Sequence, residues 1–444
     1  MFKIIAYSIT TLLTSLYLFP IAVKDLPGTN TKIILAVIGL LVYFISLPKM
    51  KKRGLSNYMM VLSALAGLVS FFGVVSIAVN GTPDWAYASY IVSMWVWVGG
   101  AYAVLFAIRS IHGHGSVILI VNYLTAVCIF QCVTALLIDS MPPVRDFFIS
   151  HFDLGHEWLE SKNRLFGFGA ALDTAGIRFS AVMIGIIAVI SHISDTKYRH
   201  YIPLYIISFF IIAIVGNMIA RTTTVGLIIS LIFIAYNLTL GNRSRRRRNK
   251  SKLVIFWAVL LTIIGTGIVY VYYQTSEIFQ ENIRFGFEGF FSLAEKGEWD
   301  VSSNDKLATM VVWPESLKTW LIGDGYFSNP YDIDPYYTGD YIEGFYMGTD
   351  IGYFRFLFYF GLPGLLAFSV FIIYSGIFCA KISPLYKRMF FFMVLVNFVV
   401  WFKVATDIFC VFALFLMLDP GEDTEAEHRA TLNNNYGGLS NRMA

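Results

Sequence analysis

The chain has 444 residues, of which 57% are hydrophobic, 17% aromatic and only 14% charged, with a formal net charge of +4. This composition excludes a soluble globular protein and a disordered chain, and it is typical of a polytopic helical membrane protein. The apolar runs are continuous rather than alternating, which excludes a transmembrane β-barrel. We therefore expect an all-α, polytopic integral membrane protein.

The apolar runs predict about 11–12 transmembrane helices of suitable length. They lie at about 4–23, 32–48, 58–79, 86–108, 116–138, 177–194, 202–219, 224–240, 253–273, 352–379 and 389–418. The first run has no small-residue cleavage site after it, so it predicts a membrane helix rather than a removed signal peptide. All four cysteines lie within apolar runs and are expected to be buried and free.

The last run, 389–418, is too long for one upright helix, because about 30 Å of hydrocarbon needs only about 20 residues at about 1.5 Å each. Lys403 and Asp407 stand near its middle, four residues apart, and would be able to pair on one face of a continuous helix. The alternative is two shorter segments that meet at a break around Lys403. We favour the break.

Charge sorts the connections into two sets. Basic residues concentrate after every second span, at Lys49, Lys51, Lys52, Arg53, Arg109, Lys197, Arg199, Arg243, Arg245, Arg246, Arg247, Arg248, Lys250, Lys252, Lys381, Lys387 and Arg388. The positive-inside rule assigns these to the cytoplasm, and we interpret the 243–252 cluster as a topology anchor. Residues 1–418 are then one transmembrane domain with two large periplasmic loops, about 139–177 and 274–351. Residues 419–444 are predicted to be a flexible polar tail.

The loop 274–351 is acidic and aromatic. It holds fourteen Asp and Glu against four Lys and Arg, together with Trp299, Trp313 and Trp320. Aromatic faces stack on sugar rings and carboxylates accept hydrogen bonds from hydroxyls, so we favour contact with carbohydrate. The alternative is the aromatic belt found at any membrane interface.

Several cations are predicted at the outer membrane edge, where positive residues are otherwise disfavoured. They are Arg164, Arg178, Arg221, Arg284, Arg355 and Lys403. Guanidinium groups bind phosphate bidentately, so the set favours a phosphate-bearing lipid; alternatively, each arginine pairs with a nearby carboxylate or headgroup. Closed metal-ligand spacings and nucleotide-binding or nucleic-acid-binding motifs are missing from the sequence, so we expect no metal, no cofactor and no nucleic acid.

Short motifs between residues 164 and 364 resemble those of a known family. They are Met310-Val-Val-Trp-Pro314, Leu321-Ile-Gly-Asp-Gly-Tyr326, Thr349-Asp350-Ile-Gly-Tyr353 with Arg355, Gly361-Leu-Pro-Gly364, Arg164-Leu-Phe-Gly167 and Arg221-Thr-Thr-Thr224. Their order and spacing from about 160 to 405 resemble the Wzy-type polymerases of O-antigen or capsule repeat units. The related ligases carry a histidine before the Gly-x-x-Gly helix, and in this chain Asp350 stands at about that place.

The resemblance implies a metal-independent, inverting glycosyltransferase of the bacterial inner membrane, with its active site facing the periplasm. It would join undecaprenyl-diphosphate-linked oligosaccharides, in contact with membrane lipids and a chain-length regulator of the Wzz type. Under this hypothesis Asp350 is the base and Arg221 a catalytic cation, while the substrate is bound by Arg178, Arg355, Arg164, Arg284, Lys403 and Tyr353. The alternatives are an O-antigen ligase and a transporter of lipid-linked sugars, although paired halves, typical of transporters, are missing.

Overall fold

The structure, a computed structural model, describes residues 2–23, 29–47, 56–153, 164–193, 200–239, 265–267, 269–341 and 343–422. Within these ranges the regular secondary structure is helical apart from one two-residue antiparallel pair, Ala22–Val23 with Phe152–Asp153. The helices are α1 Phe2–Leu18, α2 Thr31–Ser46, α3 Asn57–Asn80, α4 Tyr90–His112, α5 Val117–Ser140, α6 Pro142–His151, α7 Leu172–Ile193, α8 Ile202–Ile219, α9 Thr223–Thr239, α10 Glu277–Gly286, α11 Glu288–Lys296, α12 Ser302–Thr309, α13 Leu317–Leu321, α14 Pro330–Ile333, α15 Gly352–Ile382, α16 Lys387–Val400 and α17 Phe409–Leu416.

Six of these helices, α3, α4, α5, α7, α8 and α15, are long and apolar enough to cross a membrane. Three shorter apolar helices, α1, α2 and α9, lie at the other runs predicted in the first half of the chain. The all-α prediction is confirmed for the described residues, and the chain is a multi-pass membrane protein. The four cysteines are buried and free, as predicted.

Some sequence-based predictions fall outside the described residues. These are most of the loops that carry Lys49–Arg53 and Lys197–Arg199, the 243–252 cluster, the greater part of the predicted span 253–273, and residues 423–444 of the predicted tail. Residues 269–275 of the span region are helical. The start of the tail is held in place: the Arg109 guanidinium donates to the Glu422 carboxylate at 2.6 Å and to Asp419 at 3.0 Å.

Small residues allow α2 and α4 to approach closely. A Cβ added to Gly39 would lie 1.9 Å from the Gly99 carbonyl oxygen, and one added to Gly99 would lie 3.1 Å from the Ala36 oxygen. In lipid, helices gain little from hydrophobic burial against each other and instead depend on such close backbone packing. The contact fixes the middle of α2 beside the middle of α4.

Helix α15 is broken near its beginning. Phe360 and Gly361 leave helical geometry, and Gly361 adopts φ 69° and ψ −178°. Pro363 follows, and it cannot supply a backbone donor to the preceding turn. The break therefore separates a short buried helix, 352–359, from the membrane-spanning remainder.

The freed carbonyl groups at this break accept hydrogen bonds from a distant motif. The Asp324 amide donates to the Phe358 oxygen at 2.5 Å, and the Gly325 amide donates to the Tyr359 oxygen at 3.2 Å. The Ser76 hydroxyl donates to the same Tyr359 oxygen at 2.6 Å. The motifs Leu321–Tyr326 and Gly361–Gly364 are thus two halves of one structural joint.

The predicted break in the run 389–418 is present. Helix α16 ends at Val400 and α17 begins at Phe409, so Lys403 and Asp407 lie in a non-helical connection, 401–408. The Trp401 indole donates to the Thr406 oxygen at 2.5 Å and closes this connection. It packs against the start of α15, where the Tyr353 amide donates to the Trp401 oxygen at 3.2 Å.

Candidate functional site

Two of the predicted arginines share one aromatic ring. The guanidinium carbons of Arg164 and Arg221 lie 4.2 Å and 3.8 Å from the ring centre of Phe285. Helix α10 carries this ring to Arg221 because the Asn217 amide at the end of α8 donates to the Gly286 oxygen at 2.6 Å. A ring face attracts cations, so Phe285 holds two like charges in one place.

The third cation of this group is Lys403. Its ammonium lies 3.0 Å from the Asp173 carboxylate and 3.3 Å from the Thr222 hydroxyl. The Thr222 hydroxyl also donates to Asp173. Gly176 lets α7 come this close, since a Cβ there would lie 2.8 Å from the Thr222 Cβ. We call Arg164, Arg221, Lys403, Asp173, Thr222 and Phe285 the arginine–lysine cluster.

Electrostatics connect the two halves of the cluster. Burial lowers the pKa of the Arg164 guanidinium, the charge of Arg221 lowers it further, and Asp173 opposes this shift. The three cations of the cluster are paired with two carboxylates, Asp173 on Lys403 and Glu288 on Arg221, so positive charge remains in excess. Such an excess favours binding of an anion with several acceptor oxygens.

Glu288 approaches the cluster from the large loop. Its carboxylate lies 2.5 Å from the Arg221 guanidinium and accepts a hydrogen bond from the Ser302 hydroxyl at 3.0 Å. The Arg221 side chain is 14% exposed and that of Glu288 is 32% exposed. Glu288 thus occupies one edge of the Arg221 guanidinium, and an incoming phosphate would compete with it.

Asp350 lies beside the cluster and is not committed to a structural role. Within the described part of the chain its carboxylate makes no hydrogen bond and no ion pair within 4.0 Å. Burial raises its pKa, while the charges of Arg355, Lys306 and Lys403 lower it less, so the net shift is upward. Its half-buried carboxyl is a stronger base than an ordinary aspartate.

Arg355 and Tyr353 mainly support the short helix 352–359. The Arg355 guanidinium is sandwiched between Phe327 at 3.8 Å and Phe345 at 3.4 Å, and donates to the Phe327 oxygen at 2.9 Å. The Tyr353 hydroxyl donates to the Phe398 oxygen at 3.0 Å. Arg355 is within electrostatic range of Asp350, which links it to the site by charge.

Two other predicted residues have different neighbours. Arg284 forms a two-pronged ion pair with Glu295, at 2.8 Å and 2.9 Å, and its pKa is raised by these hydrogen bonds. Arg178 points inward from α7, where its guanidinium donates to the Leu18 oxygen. The structure shows no contact of either side chain with the arginine–lysine cluster among the described residues.

Sequence reasoning did not select Asp173, Phe285 or Glu288 as site residues. Asp173 and Glu288 each provide the carboxylate that holds one cluster cation, and Phe285 provides the stacking surface. Asp173 lies five residues before the predicted site residue Arg178, and this proximity is a signal that could have identified it. Phe285 and Glu288 are brought in by the fold of the loop.

Within the described ranges, there is no group of three or more His, Cys, Asp and Glu side chains suited to a metal ion. What the cluster offers is positive charge for a phosphate-bearing group, next to a carboxylate that can accept a proton. No protein-family model, no curated protein and no solved structure matches this chain.

Proposed function

We propose that the chain is a membrane glycosyltransferase that polymerises undecaprenyl-diphosphate-linked oligosaccharide repeat units into O-antigen or capsular polysaccharide. The observation that carries the proposal is the arginine–lysine cluster beside the uncommitted Asp350. Three cations come together from three separate segments, two of them at the Phe285 ring and one on Asp173, and the pKa of the adjacent Asp350 carboxyl is raised. The grouped cations would stabilise a diphosphate leaving group, and the more basic carboxyl would accept the proton of an attacking hydroxyl.

In the proposed reaction, the terminal hydroxyl of one lipid-linked unit attacks the anomeric carbon of another. The new glycosidic bond forms as the bond from that carbon to the diphosphate oxygen breaks, with inversion. Asp350 accepts the hydroxyl proton, and the bond electrons leave with undecaprenyl diphosphate. Arg221, Arg164 and Lys403 stabilise the negative charge that develops on the departing oxygen, so this chemistry proceeds without a metal.

Glu288 has a defined place in this scheme. When substrate is absent, the Glu288 carboxylate forms an ion pair with the Arg221 guanidinium at 2.5 Å, and the diphosphate displaces this carboxylate. Glu288 and Phe285 belong to the same segment of the large loop. Displacement of Glu288 by the diphosphate would therefore move this segment, which lies next to the donor sugar in the proposed complex. The same proposal places the protein in the inner bacterial membrane with its site on the periplasmic side. It also includes a chain-length regulator as a partner.

The test uses purified protein in proteoliposomes that contain the undecaprenyl-diphosphate-linked repeat unit, with polymer length followed on gels. We expect Asp350→Asn and Arg221→Ala to lose polymerisation by about a hundredfold or more, the usual size of a general-base or charge-stabilising contribution. Lys296→Gln is the control, since Lys296 forms an exposed pair with Asp300 outside the cluster. Normal polymerisation by both site variants would refute the assignment.

A deletion strain separates the polymerase from its nearest alternative. Loss of a polymerase collapses the surface polysaccharide to single repeat units. If long polymer instead accumulates on undecaprenyl diphosphate and never reaches its acceptor, the protein is a ligase. Both outcomes are visible when the lipid-linked intermediates are extracted alongside the surface polysaccharide.

A further inference from the structure

A second pair of cations faces one tryptophan inside the bundle. The Lys32 ammonium, at the start of α2, lies 4.6 Å from the ring centre of Trp97 in α4. The Arg178 guanidinium carbon lies 5.7 Å from the same ring, and 5.7 Å from the Phe19 ring. The close packing of Gly39 on Gly99 holds α2 and α4 in this arrangement.

Two of the donor groups that face this tryptophan lack protein partners. In the described part of the chain, Lys32 makes no hydrogen bond or ion pair, and the buried Nε of Arg178 has no hydrogen-bond partner. Buried donors are rarely left unsatisfied, because each costs about 1–3 kcal/mol.

Asp407 is the carboxylate nearest to these cations. It lies within electrostatic range of Lys32 and Arg178, and it is the partner of the Tyr90 hydroxyl. It forms no ion pair within 4.0 Å in the described ranges; its carboxylate instead accepts a hydrogen bond from the Phe409 amide at 2.8 Å. The group therefore carries two positive charges against one negative charge. An excess buried charge is costly in a membrane protein unless a counter-ion is bound.

We propose that Lys32 and Arg178 form a second anion site, which binds a phosphate group. A phosphate presents oxygens in several directions and can accept from an ammonium and a guanidinium Nε at once, whereas a carboxylate presents two oxygens in one plane. The phosphate belongs to a phospholipid headgroup, a polyprenyl diphosphate or the free ion, which share this chemistry. We call this group the inner phosphate site.

The inner site is separate from the arginine–lysine cluster. The connection 401–408 runs between the two, with Lys403 paired to Asp173 in the cluster and Asp407 facing Lys32 and Arg178. The inner site therefore does not depend on the proposed polymerase activity.

The test measures binding to purified, delipidated protein in a non-ionic detergent by calorimetry. The probes are inorganic phosphate, a short-chain phosphatidylglycerol and farnesyl diphosphate. All titrations use an Arg221→Gln background, so that binding at the cluster is weakened. We expect one or more probes to bind, and Lys32→Gln to weaken that binding about tenfold or more, because hydrogen bonds to charged groups are among the strong ones.

Asp407→Asn should change the affinity for phosphate in the opposite direction to Lys32→Gln. It removes the negative charge while keeping the oxygen that accepts from the Phe409 amide, so it should tighten phosphate binding. A variant that merely misfolds would bind more weakly. The probe with the highest affinity identifies the source of the phosphate. The proposal is overturned if no probe binds, if Lys32→Gln binds as tightly as its parent, or if Asp407→Asn weakens binding.

Discussion

The break in α15 can be tested at Gly361. This residue adopts φ 69° and ψ −178°, a region that is almost restricted to glycine. A Cβ added there would lie 2.6 Å from the Leu321 carbonyl carbon and 2.8 Å from the Ile322 nitrogen. Both neighbours are backbone atoms, so neither can move aside without disturbing the joint with residues 321–326. Gly361→Ala therefore strains the backbone and displaces the partner loop.

The expected magnitude follows from these two effects. A non-glycine residue in such a region costs about 1–3 kcal/mol. Displacing the loop would also weaken the hydrogen bonds from the Asp324 and Gly325 amides to the broken helix, each with a net contribution of about 0.5–1.5 kcal/mol. We expect a loss of about 2–6 kcal/mol in the free energy of unfolding.

The assay is detergent-induced unfolding of the purified protein, with Gly297→Ala as the matched control. Gly297 also has a positive φ, 76°, but a Cβ there would meet no atom within 4 Å. The control should lose about 1–2 kcal/mol from left-handed geometry alone. Polymerisation should fall with Gly361→Ala, because the short helix 352–359 follows Asp350 directly. Equal destabilisation by the two variants would refute the reasoning.

Three further predictions concern single side chains. Because burial raises the pKa of Asp350, the rate should fall with decreasing pH at a value above the ordinary range of an aspartate, and Asp350→Asn should remove this limb along with most of the activity. Phe285→Leu removes the ring between two guanidinium groups and should raise the KM for the lipid-linked donor severalfold, with the inserted protein level unchanged. Burial raises the pKa of Glu422, but the hydrogen bonds that its carboxylate accepts, first from Arg109, outweigh burial and lower this pKa. The carboxylate therefore stabilises the fold at neutral pH, and this stabilisation is lost as the pH falls through the lowered pKa. Glu422→Gln should cost about 1.5–3 kcal/mol of unfolding free energy at pH 7 in the same assay and nothing at low pH.

Hydropathy and length were sufficient to predict the long apolar helices, but not the short helices of the two loops. A run of about 20 apolar residues can satisfy its backbone in lipid only as a helix, so α3, α4, α5, α7 and α8 follow directly from composition. The same length argument predicted a break around Lys403, and the structure has a non-helical connection there, 401–408. The structural role of the glycine motifs could not be predicted from hydropathy and length. The motifs 321–326 and 361–364 contact each other in the fold, although they are far apart in sequence.

The outer cations illustrate the limit of sequence reasoning. The positive-inside rule selected residues at one membrane edge, but depth alone does not determine which side chains meet. Arg164, Arg221 and Lys403 come together at the Phe285 ring and Asp173, whereas Arg178 faces the bundle interior with Lys32. Lys32 was missed, although the same rule marks it: it is a cation at the outer end of a predicted span.

The connection 401–408 determines how the polar residues are shared between the two sites. In a continuous helix Lys403 and Asp407 would face each other and neutralise one another, whereas the break directs Lys403 to the cluster and Asp407 to the inner site. The fully buried Asn397 holds the break open, since its side-chain oxygen accepts from the Ile408 amide at 3.1 Å. Asn397→Leu leaves this amide unsatisfied and should impair both phosphate binding and polymerisation, measured in the two assays above. Impairment of only one activity would contradict a shared dependence on the break.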